Sequence, residues 1–394
     1  MVTTAPDKAF RARIAHIVPT DRIAYLLLRG RLSLLQNAGF DVTVICGDLG
    51  YGDKLRESGL RVLHIPFARE IDPWTDLRCA GSLLATLRRG RFDIVHSHNP
   101  KGGLLGPVIA RLARTPVVAH TVHGFLFNEN SHGLHHVLAH GAERWTALWC
   151  DHLLFQSAED YAYARKLHLK RDDELHLVGN GVDPGFFDPE SQAPTRNEKR
   201  RALGIEPDHL VVGTVGRFVE EKGYIEYVEM AARIARERDK VRFLVAGSVE
   251  KEQSDALDPQ ALMAAHGIED RCVLIEPPII TRDIYSCMDI FVLASHREGI
   301  SRSLLEAAAM SLPLVASDIR GSREVVEPGT NGLLFPLKEV DSLVAAVESL
   351  IDDGPGRRRM GAAARKIVTE NYTEEATSNR VAASYEKMLA SRRS

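Results

Sequence analysis

A strand-to-helix turn in the second half of the chain gathers glycines and cations in a pattern that suits a phosphorylated ligand. Gly216-Arg217-Phe-Val-Glu-Glu-Lys222-Gly223 directly follows an apolar run that is typical of a buried strand. Backbone N–H groups at such a turn can approach an anion closely, and Arg217 and Lys222 would add positive charge. A phosphate or diphosphate is therefore the expected ligand. The alternative is a solvated loop in which Lys222 pairs with Glu220 or Glu221.

A second segment places a carboxylate on each side of a predicted helix start. Glu298-Gly-Ile-Ser-Arg-Ser-Leu-Leu-Glu306 follows an apolar run, and Ser301 and Ser303 are both suitable N-cap residues. The free N–H groups of a helix N-terminus would hold a diphosphate, while Glu298 and Glu306 would accept hydrogen bonds from sugar hydroxyls. Alternatively, both carboxylates face solvent. Glu306 stands among leucines and alanines, however, and a carboxylate in such surroundings needs a polar partner.

Two segments in the first half of the chain are expected to face a ligand at the ends of strands. His123-Gly124 follows the apolar run 116–119, so the His123 ring could hydrogen-bond a substrate hydroxyl at the carboxyl end of a strand. A lone histidine is more often structural than catalytic. Gly30 ends the segment after the first strand and is expected to begin a helix close to a phosphate. The spacing is not G-x-G-x-x-G, so no dinucleotide site is predicted.

No metal site is predicted. Four histidines include pairs spaced i,i+4, but no neighbouring acid or cysteine completes a ligand set; they are His132, His135, His136 and His140.

The elements that must position these residues alternate between apolar strands and helices. Continuous apolar strands separated by helices are typical of a parallel sheet that is covered on both faces. The first set of predicted strands is 14–18, 41–46, 61–65, 93–96, 116–119 and 152–155. The second set is 210–215, 241–246, 273–275, 290–293, 313–316 and 332–335.

The alternation pauses between the two sets in a polar, charged segment that predicts a linker. We therefore expect an α/β protein with two tandem Rossmann-like, doubly wound domains that face each other across a cleft. The predicted boundaries are 1–185 for the first domain, 186–207 for the linker, 208–375 for the second domain and 376–394 for a C-terminal helix. This last helix is expected to pack back on the first domain.

Composition excludes several classes of protein. The formal net charge is −3, from 50 basic and 53 acidic residues, which argues against a globally basic nucleic-acid binder and a disordered polyelectrolyte. The five cysteines are scattered and odd in number, which favours a reducing compartment over a disulfide framework. No apolar run suits a signal peptide or a membrane span, so a cytoplasmic protein is expected.

Together these segments resemble glycosyltransferase family 4, whose members have the GT-B architecture. The Glu298 to Glu306 segment matches the family's E-x7-E motif, and Gly216-Arg217 with Lys222-Gly223 matches its diphosphate clamp. The segments 179–183, 317–324 and 331–336 match further family motifs, so the likeness covers nearly the whole chain. Segments 28–30, 69–73, 96–106 and 123–124 resemble the branch that makes capsular and other bacterial surface glycans.

The resemblance implies a retaining hexosyltransferase that uses a nucleotide-diphosphate sugar, with UDP favoured over GDP and no cofactor or required metal. The absence of any Asp-x-Asp sequence agrees with this. By resemblance, Glu306 would bind the donor ribose, Glu298 the sugar hydroxyls, and His123 the sugar near the reacting carbon. The catalytic set is expected to be His123, Arg217, Lys222 and Glu298. The expected donor-binding set is Gly30, Gly216, Gly223, Ser301, Arg302, Ser303, Leu304 and Glu306.

The acceptor remains open at this point. The resemblance makes the first domain the acceptor-binding one and the second the nucleotide-sugar-binding one, with either a lipid-linked sugar at the inner face of the membrane or a soluble small molecule as acceptor. Arginines in the first domain could attract anionic lipid, or they could be ordinary solvated side chains; they are Arg11, Arg13, Arg22, Arg29, Arg31, Arg88, Arg89 and Arg91. A sugar-nucleotide epimerase and a non-catalytic sugar-nucleotide binder of the same fold are the alternative functions.

Overall fold

The computed structural model describes residues 10–67, 73–125, 133–249, 255–277 and 280–393. The chain forms two compact units. Unit 1 comprises the chain up to Gly179 together with the C-terminal segment from Glu374, and unit 2 comprises Asn180–Thr373. Each unit contains its own parallel sheet, as the alternation of apolar strands and helices predicted.

Unit 1 is built on a seven-stranded sheet. Its strands are β1 (Arg13–Thr20), β2 (Asp41–Gly47), β3 (Arg61–His64), β4 (Ile94–His98), β5 (Val117–Val122), β6 (His152–Phe155) and β7 (Leu175–Leu177). They pair in the order β3-β2-β1-β4-β5-β6-β7, and all neighbouring strands are parallel. This begins with the doubly wound order 3-2-1-4-5-6, which places ligands at the carboxyl ends of the strands.

Helices connect these strands. They are α1 (Asp21–Ile23), α2 (Arg29–Asn37), α3 (Gly52–Glu57), α4 (Pro73–Gly90), α5 (Asn99–Leu112), α6 (Gly133–Trp149) and α7 (Ala158–Lys166). A π-helical turn, Ala24–Leu28, joins α1 to α2, so the chain is helical from Asp21 to Asn37. Thr20 caps this run, because its hydroxyl accepts a hydrogen bond from the backbone N–H of Ile23 at 3.3 Å.

Unit 2 repeats the same strand order with six strands. They are β8 (Leu210–Arg217), β9 (Val241–Ser248), β10 (Cys272–Ile275), β11 (Ile290–Leu293), β12 (Leu314–Ser317) and β13 (Gly332–Phe335). The sheet runs β10-β9-β8-β11-β12-β13. The helices are α8 (Pro189–Gln192), α9 (Arg196–Ala202), α10 (Tyr224–Glu237), α11 (Pro259–Ala265), α12 (Thr281–Ser286), α13 (Arg302–Ala309), α14 (Arg320–Arg323), α15 (Val340–Asp352) and α16 (Gly354–Asn371).

Apolar clusters cover both faces of each sheet. In β1, Ile14 and Val18 belong to one cluster of buried side chains, whereas Ala15 and Ile17 belong to another. Successive side chains of a strand point to opposite faces, so these clusters lie on opposite sides of the sheet. The same division appears in β8, where Val211 and Val212 fall into different clusters. Burial on both faces explains why the strands are continuous apolar runs.

The segment predicted as a linker is instead a folded part of unit 2. Residues 186–207 contain α8 and α9, and Arg200 of α9 is buried. Arg196 and Arg200 donate to the two carboxylate oxygens of Asp289, at 2.6 and 2.5 Å. The charge that suggested solvent exposure is therefore neutralised by an acid about 90 residues further along the chain.

The C-terminal helix α17 (Glu374–Arg393) belongs to unit 1 and packs against α2. It begins at Glu374 rather than at residue 376. Its Tyr385 and Met388 are fully buried in the same apolar cluster as Leu32 and Leu35 of α2. The chain therefore leaves unit 1 after Gly179 and returns to complete its core. Across the described residues, the helices are each too short or too polar to span a bilayer.

Candidate functional site

Lys222 and Glu298 come together at the carboxyl ends of two adjacent strands of unit 2. Lys222 lies in a 3-10 turn shortly after β8, and Glu298 lies in the loop after β11, which pairs with β8. Lys222 Nζ donates to Glu298 Oε1, and both side chains are largely buried, with 18% and 14% exposed. Ser295 Oγ donates to the same carboxylate oxygen at 3.1 Å. The local pairing of Lys222 with Glu220 or Glu221 that the sequence allowed is thus not what forms.

Glu221 links the two predicted segments. Its backbone carbonyl accepts a hydrogen bond from the His296 N–H at 2.8 Å, which ties the turn after β8 to the loop after β11. Its carboxylate accepts from Arg217 at 3.2 Å and from Arg297 at 3.0 Å. Burial alone would raise the pKa of Glu221, but the charges of Arg297, Lys222 and Arg217 outweigh it and hold the pKa below its ordinary value. An ionised Glu221 therefore orients both arginines.

Position 223 requires glycine, because of both its backbone conformation and the lack of space for a side chain. Its φ is +72°, in the left-handed region that favours glycine, and a Cβ there would lie 2.0 Å from the Ala294 carbonyl oxygen. This close approach brings the start of α10 against the end of β11. Gly216, in contrast, has room for a side chain, whose nearest neighbour would be the Tyr224 hydroxyl at 3.4 Å. Gly216 instead contributes its carbonyl oxygen, which accepts from that hydroxyl at 3.0 Å.

Two further glycines bring backbones together near this site, and sequence reasoning did not single them out. A Cβ on Gly247 would lie 1.8 Å from the Gly216 carbonyl oxygen, and a Cβ on Gly321 would lie 1.3 Å from that of Gly299. The first packs the ends of β8 and β9 together, and the second packs α14 against the loop that carries Glu298. Neither contact is visible in the sequence, because each joins distant segments.

Helix α13 begins as predicted, with Ser301 at the N-cap. The Ser301 hydroxyl does not accept from a first-turn N–H of the helix and instead lies 3.0 Å from the Ser303 hydroxyl. The Ser301 hydroxyl therefore does not compete with an anion for the first-turn N–H groups. Leu304 is fully buried in the apolar core of unit 2, so only its backbone could contact a donor.

Glu306 is buried, and both of its carboxylate oxygens have polar partners. Its Oε1 accepts from Arg302 Nε at 2.9 Å, and its Oε2 accepts from the buried Tyr285 hydroxyl at 3.1 Å. The solvent-facing alternative is therefore wrong, and the apolar surroundings do force the carboxylate to find partners. Arg302, which the sequence predicted beside a diphosphate, donates to Glu306 through Nε. Tyr285 was missed, because it reaches Glu306 from α12.

His123 directly follows β5 in unit 1, as expected, and is partly buried. Its Nε2 lies 3.2 Å from Nδ1 of His98, and the Gln156 side chain also hydrogen-bonds the ring. Burial and then the charge of Arg31 lower the pKa of His123 to about 4, although the Gln156 bond opposes this. The ring is therefore neutral near pH 7.

The expectation that Gly30 begins a helix is wrong, whereas its closeness to a phosphate stays a prediction. Gly30 lies inside the continuous helical run from Asp21, so its backbone is not at a free helix N-terminus. A Cβ on Gly30 would lie 2.0 Å from a carboxylate oxygen of Glu374. The Glu374 side chain of α17 therefore lies directly against the Gly30 backbone of α2.

Among the described residues, two clusters bring side-chain ligand atoms within 4.8 Å of one another, as a metal ion would require. The first is His16, His96 and His98, and the second is Asp21, Asp48 and His64. Asp21 already accepts hydrogen bonds from the backbone N–H groups of Leu49 and Tyr51, at 2.9 and 2.8 Å. Of the four histidines that include pairs spaced i,i+4 in the sequence, His132 lies outside the described residues.

The fold and site geometry define a nucleotide-sugar-dependent glycosyltransferase of the GT-B type. The family model described as "Glycosyl transferases group 1" matches residues 195–367, and the model described as "Glycosyl transferase 4-like domain" matches residues 30–181. The chain therefore belongs to the glycosyltransferases that these two models describe, as the sequence motifs indicated.

Relatives and solved structures agree with this assignment. The UDP-Gal:alpha-D-GlcNAc-diphosphoundecaprenol alpha-1,3-galactosyltransferase of Escherichia coli is 30% identical over 81% of this chain and 82% of its own length. The capsular polysaccharide biosynthesis glycosyltransferase CapM of Staphylococcus aureus is 25% identical over 92% of this chain and 94% of its own. Sucrose-phosphate synthase from Thermosynechococcus elongatus has the same fold, with a TM-score of 0.83 at 20% identity, over 97% of this chain and all of that one.

Proposed function

We propose that the protein is a retaining glycosyltransferase that transfers a hexose from a UDP-linked donor to a lipid-linked sugar in surface-glycan assembly. The observation that carries this proposal is the pairing of Lys222 with Glu298 next to the start of α13. It sets cations, a helix N-terminus and an oriented carboxylate at the carboxyl edge of one sheet. GDP-linked donors and soluble acceptors are the competing assignments within the same reaction class.

The donor diphosphate would lie against Arg217, Lys222 and the first-turn N–H groups of α13. Negative charge grows on the leaving diphosphate as the glycosidic bond breaks, so cations fixed in advance lower the barrier. Glu221 holds the Arg217 guanidinium and Glu298 holds the Lys222 ammonium, so neither cation needs to reorganise when the donor arrives. These cations can fill the role of a divalent metal, and we propose metal-independent transfer.

Glu298 and Glu306 would recognise the two sugars of the donor. The hydrogen bonds from Lys222 and Ser295 both go to Oε1 of Glu298, so Oε2 can accept from hydroxyls of the transferred sugar. Oε1 of Glu306 accepts from Arg302 and Oε2 accepts from Tyr285, and a carboxylate oxygen can accept more than one hydrogen bond, so the two ribose hydroxyls could also donate to this group. Arg302 and Tyr285 thereby hold the carboxylate in one orientation.

A cavity of unit 1 suits the acceptor. It measures about 410 Å³, opens at the carboxyl ends of β1, β2 and β3, and is lined by Thr20, Asp48 and His64 among others. His64 Nδ1 lies 3.4 Å from an Asp48 carboxylate oxygen, and the Gly50 N–H holds the pKa of Asp48 below its ordinary value. This pair could orient an acceptor hydroxyl. His64→Gln should therefore raise KM for the acceptor and leave KM for the donor unchanged.

A lipid-linked acceptor requires contact with the membrane, and we propose that α5 and α6 provide it. These helices pack together and expose large apolar side chains, which are Leu104, Leu112, Val137, Leu138, Trp145 and Leu148. Exposed arginines lie on or next to these helices; they include Arg88, whose guanidinium donates to the Leu112 carbonyl at 3.2 Å, Arg114 and Arg144. Exposed apolar side chains with cations nearby suit an anionic lipid surface.

Three of the arginines near the N-terminus are already engaged within unit 1. Arg31 is buried, Arg13 pairs with Asp41 at 3.3 Å, and Arg11 pairs with Glu386 at 2.6 Å. Sedimentation with phosphatidylglycerol-containing vesicles should therefore depend on Trp145 and Leu148, and Trp145→Ser with Leu148→Ser should abolish it. Ile225→Ser, at an exposed apolar residue of unit 2, is the matched control. If the protein instead dimerises through this face, and the double variant binds vesicles as well as the wild type does, the membrane assignment is rejected.

Product analysis tests the reaction itself. The protein is incubated with UDP-galactose, UDP-glucose, UDP-N-acetylglucosamine and the GDP sugars, each with a short-chain polyprenyl-diphosphate sugar or a soluble acceptor. We expect UDP release that requires the lipid-linked acceptor, and an α-linked product from the α-linked donor by proton NMR. An epimerised donor sugar would favour the epimerase alternative, and donor binding without turnover would favour the binder. A β-linked product would reject retention.

A further inference from the structure

A continuous chain of hydrogen bonds runs through the interior of unit 1 and ends at His123. Its links are Thr121 Oγ1 to His96 Nε2 (2.7 Å), His96 Nδ1 to Tyr385 Oη (2.5 Å), Tyr385 Oη to His16 Nε2 (3.4 Å), His16 Nδ1 to His98 Nε2 (2.9 Å) and His98 Nδ1 to His123 Nε2 (3.2 Å). Each ring nitrogen of His16, His96 and His98 therefore has one partner within the chain.

The sheet of unit 1 aligns the histidines of this chain. His16 of β1 is the register partner of His96 of β4, and β4 and β1 are adjacent strands. His98, two residues further along β4, lies on the same face as His96, because side chains alternate along a strand. Tyr385 comes from α17, so the C-terminal helix supplies the hydroxyl that joins His16 to His96.

All the inner members of the chain are neutral near pH 7. His16, His96, His98 and Tyr385 are each at most 1% exposed. Burial and then the charge of Arg31 lower the pKa of His16 to about 3. Burial, followed by the neighbouring histidines, also holds the pKa values of His96 and His98 well below the ordinary value. A neutral imidazole carries one N–H donor and one acceptor nitrogen. A ring that accepts a hydrogen bond at one nitrogen must therefore donate at the other, so all the hydrogen bonds along the chain point the same way.

Two arrangements of protons satisfy the whole chain. If Tyr385 donates to His16 Nε2, then His16 donates through Nδ1 to His98, which donates through Nδ1 to Nε2 of His123. Tyr385 then accepts from Nδ1 of His96. If Tyr385 instead donates to His96, every bond reverses, and each histidine, including His123, carries its proton on Nε2. Within this chain, the direction in which the Tyr385 hydroxyl donates is therefore coupled to the tautomer of His123.

A metal ion is a weaker account of the same residues. His16, His96 and His98 are close enough to share one, but the charge of Arg31 contributes to the lowered pKa of all three rings. The same positive charge would oppose a buried divalent cation, and the cluster contains no carboxylate to compensate it. Hydrogen bonding satisfies the rings without bringing in further charge.

We propose that Tyr385 is a positioning residue that acts through His16 and His98 to fix the tautomer and orientation of His123. The inference rests on the proposed function and on the placement of His123 beside the donor sugar that the family resemblance implies. A single tautomer presents one fixed hydrogen-bonding edge to the substrate, whereas a mixture would present the correct edge for only part of the time. The C-terminal helix thereby contributes to the site without touching the substrate.

Nitrogen NMR of histidine side chains tests the chain directly, because ring nitrogen shifts distinguish the two tautomers. The protein is labelled with ¹⁵N-histidine, and His123→Gln assigns the His123 signals. The wild type should show a single His123 tautomer, and Tyr385→Phe should convert it to a mixture. Tyr385→Phe should also lower kcat roughly tenfold, the rate equivalent of one hydrogen bond, with KM for the donor unchanged. Unchanged His123 signals in Tyr385→Phe would overturn the proposal.

A fold measurement on Tyr385→Phe and two further variants, His16→Gln and His176→Gln, complete the test. Phenylalanine preserves the edge contact of the Tyr385 ring with Phe40, whose centroids are 5.7 Å apart, and near-ultraviolet circular dichroism reports whether the fold survives. His16→Gln interrupts the chain on the other side of the hydroxyl and should also disturb the His123 tautomer. His176→Gln is the matched control, since His176 pairs with His152 outside this chain, at 3.2 Å, and should leave His123 unchanged.

The possible outcomes separate this inference from the proposed function. Stoichiometric zinc in the purified protein, with histidine shifts that move when it is chelated, would replace the hydrogen-bonded chain by a metal site and overturn the proposal. The NMR result does not depend on turnover, so it stands even if no sugar is transferred. If His123→Ala kept wild-type turnover, a role of His123 beside the donor sugar would be excluded. The tautomer measurement would still test the chain of hydrogen bonds.

Discussion

Lys222 and Glu298, 76 residues apart in sequence, form a largely buried ion pair at the carboxyl ends of β8 and β11. The pair keeps an ammonium group and a carboxylate in place before any ligand arrives. Because the charges neutralise each other, each can face the site with little of the cost that burial imposes on an isolated ion. A donor that brings both a diphosphate and a sugar would engage both members at once.

The first prediction concerns the cations. Lys222→Ala and Arg217→Ala should each lower kcat, roughly a hundredfold for Lys222, because negative charge on the leaving diphosphate is greatest in the transition state. Steady-state kinetics with a saturating acceptor would separate kcat from KM for the donor. Lys240→Ala is the control, since Lys240 forms only an exposed pair with Asp208 in the same unit. A change confined to KM would make the cations a binding feature alone.

The second prediction concerns recognition of the ribose. Glu306→Ala should weaken UDP binding by about 1.5–3 kcal/mol, the usual contribution of hydrogen bonds to a charged group. Tyr285→Phe should have a smaller effect, because it removes one hydrogen bond that orients the carboxylate and leaves the charge in place. Calorimetric titration with UDP, with GDP in parallel, measures both. Unchanged affinity in Glu306→Ala would exclude the ribose role.

The third prediction concerns metal dependence. Transfer should proceed at its full rate in excess EDTA, since Arg217, Lys222 and the N-terminus of α13 would together neutralise the diphosphate. Activity is measured as UDP release with and without the chelator. Loss of activity that Mg²⁺ or Mn²⁺ restores would contradict this and would call for a divalent ion at the diphosphate.

The fourth prediction is that unit 1 loses stability in mild acid. Burial lowers the pKa of His120 to about 3, as it does that of His16, whereas the unfolded value is about 6.5. Between these values the unfolded chain binds a proton that the native one does not. Each such histidine therefore adds a slope of roughly 1.4 kcal/mol per pH unit, with stability falling as pH falls below 6.5.

Tryptophan fluorescence can follow this loss, because all three tryptophans, Trp74, Trp145 and Trp149, belong to unit 1. Urea unfolding at several pH values from 7 to 4 would give the slope for unit 1 alone. His120→Asn should flatten that slope by about one proton's contribution. An equal slope in the variant would show that His120 is protonated in the native state over this range.

The sequence was sufficient for the features that depend on local order. Its apolar runs predicted the parallel strands of both sheets, since burial on both faces leaves a continuous apolar pattern. It missed β7, which has only three residues and too short a pattern to recognise. The N-cap at Ser301 and the burial of Glu306 could also be predicted, because the evidence for each lies within a few neighbouring residues.

Only the tertiary structure decided which distant groups meet. The partner of Lys222 is Glu298 rather than a neighbouring glutamate, because adjacent parallel strands bring their carboxyl ends together. The charged segment 186–207 folds because Asp289 neutralises two of its arginines. Tyr385 reaches His96 across 289 residues of sequence. Composition and periodicity determine which faces are buried, but the pairing of polar groups inside depends on the three-dimensional path of the chain.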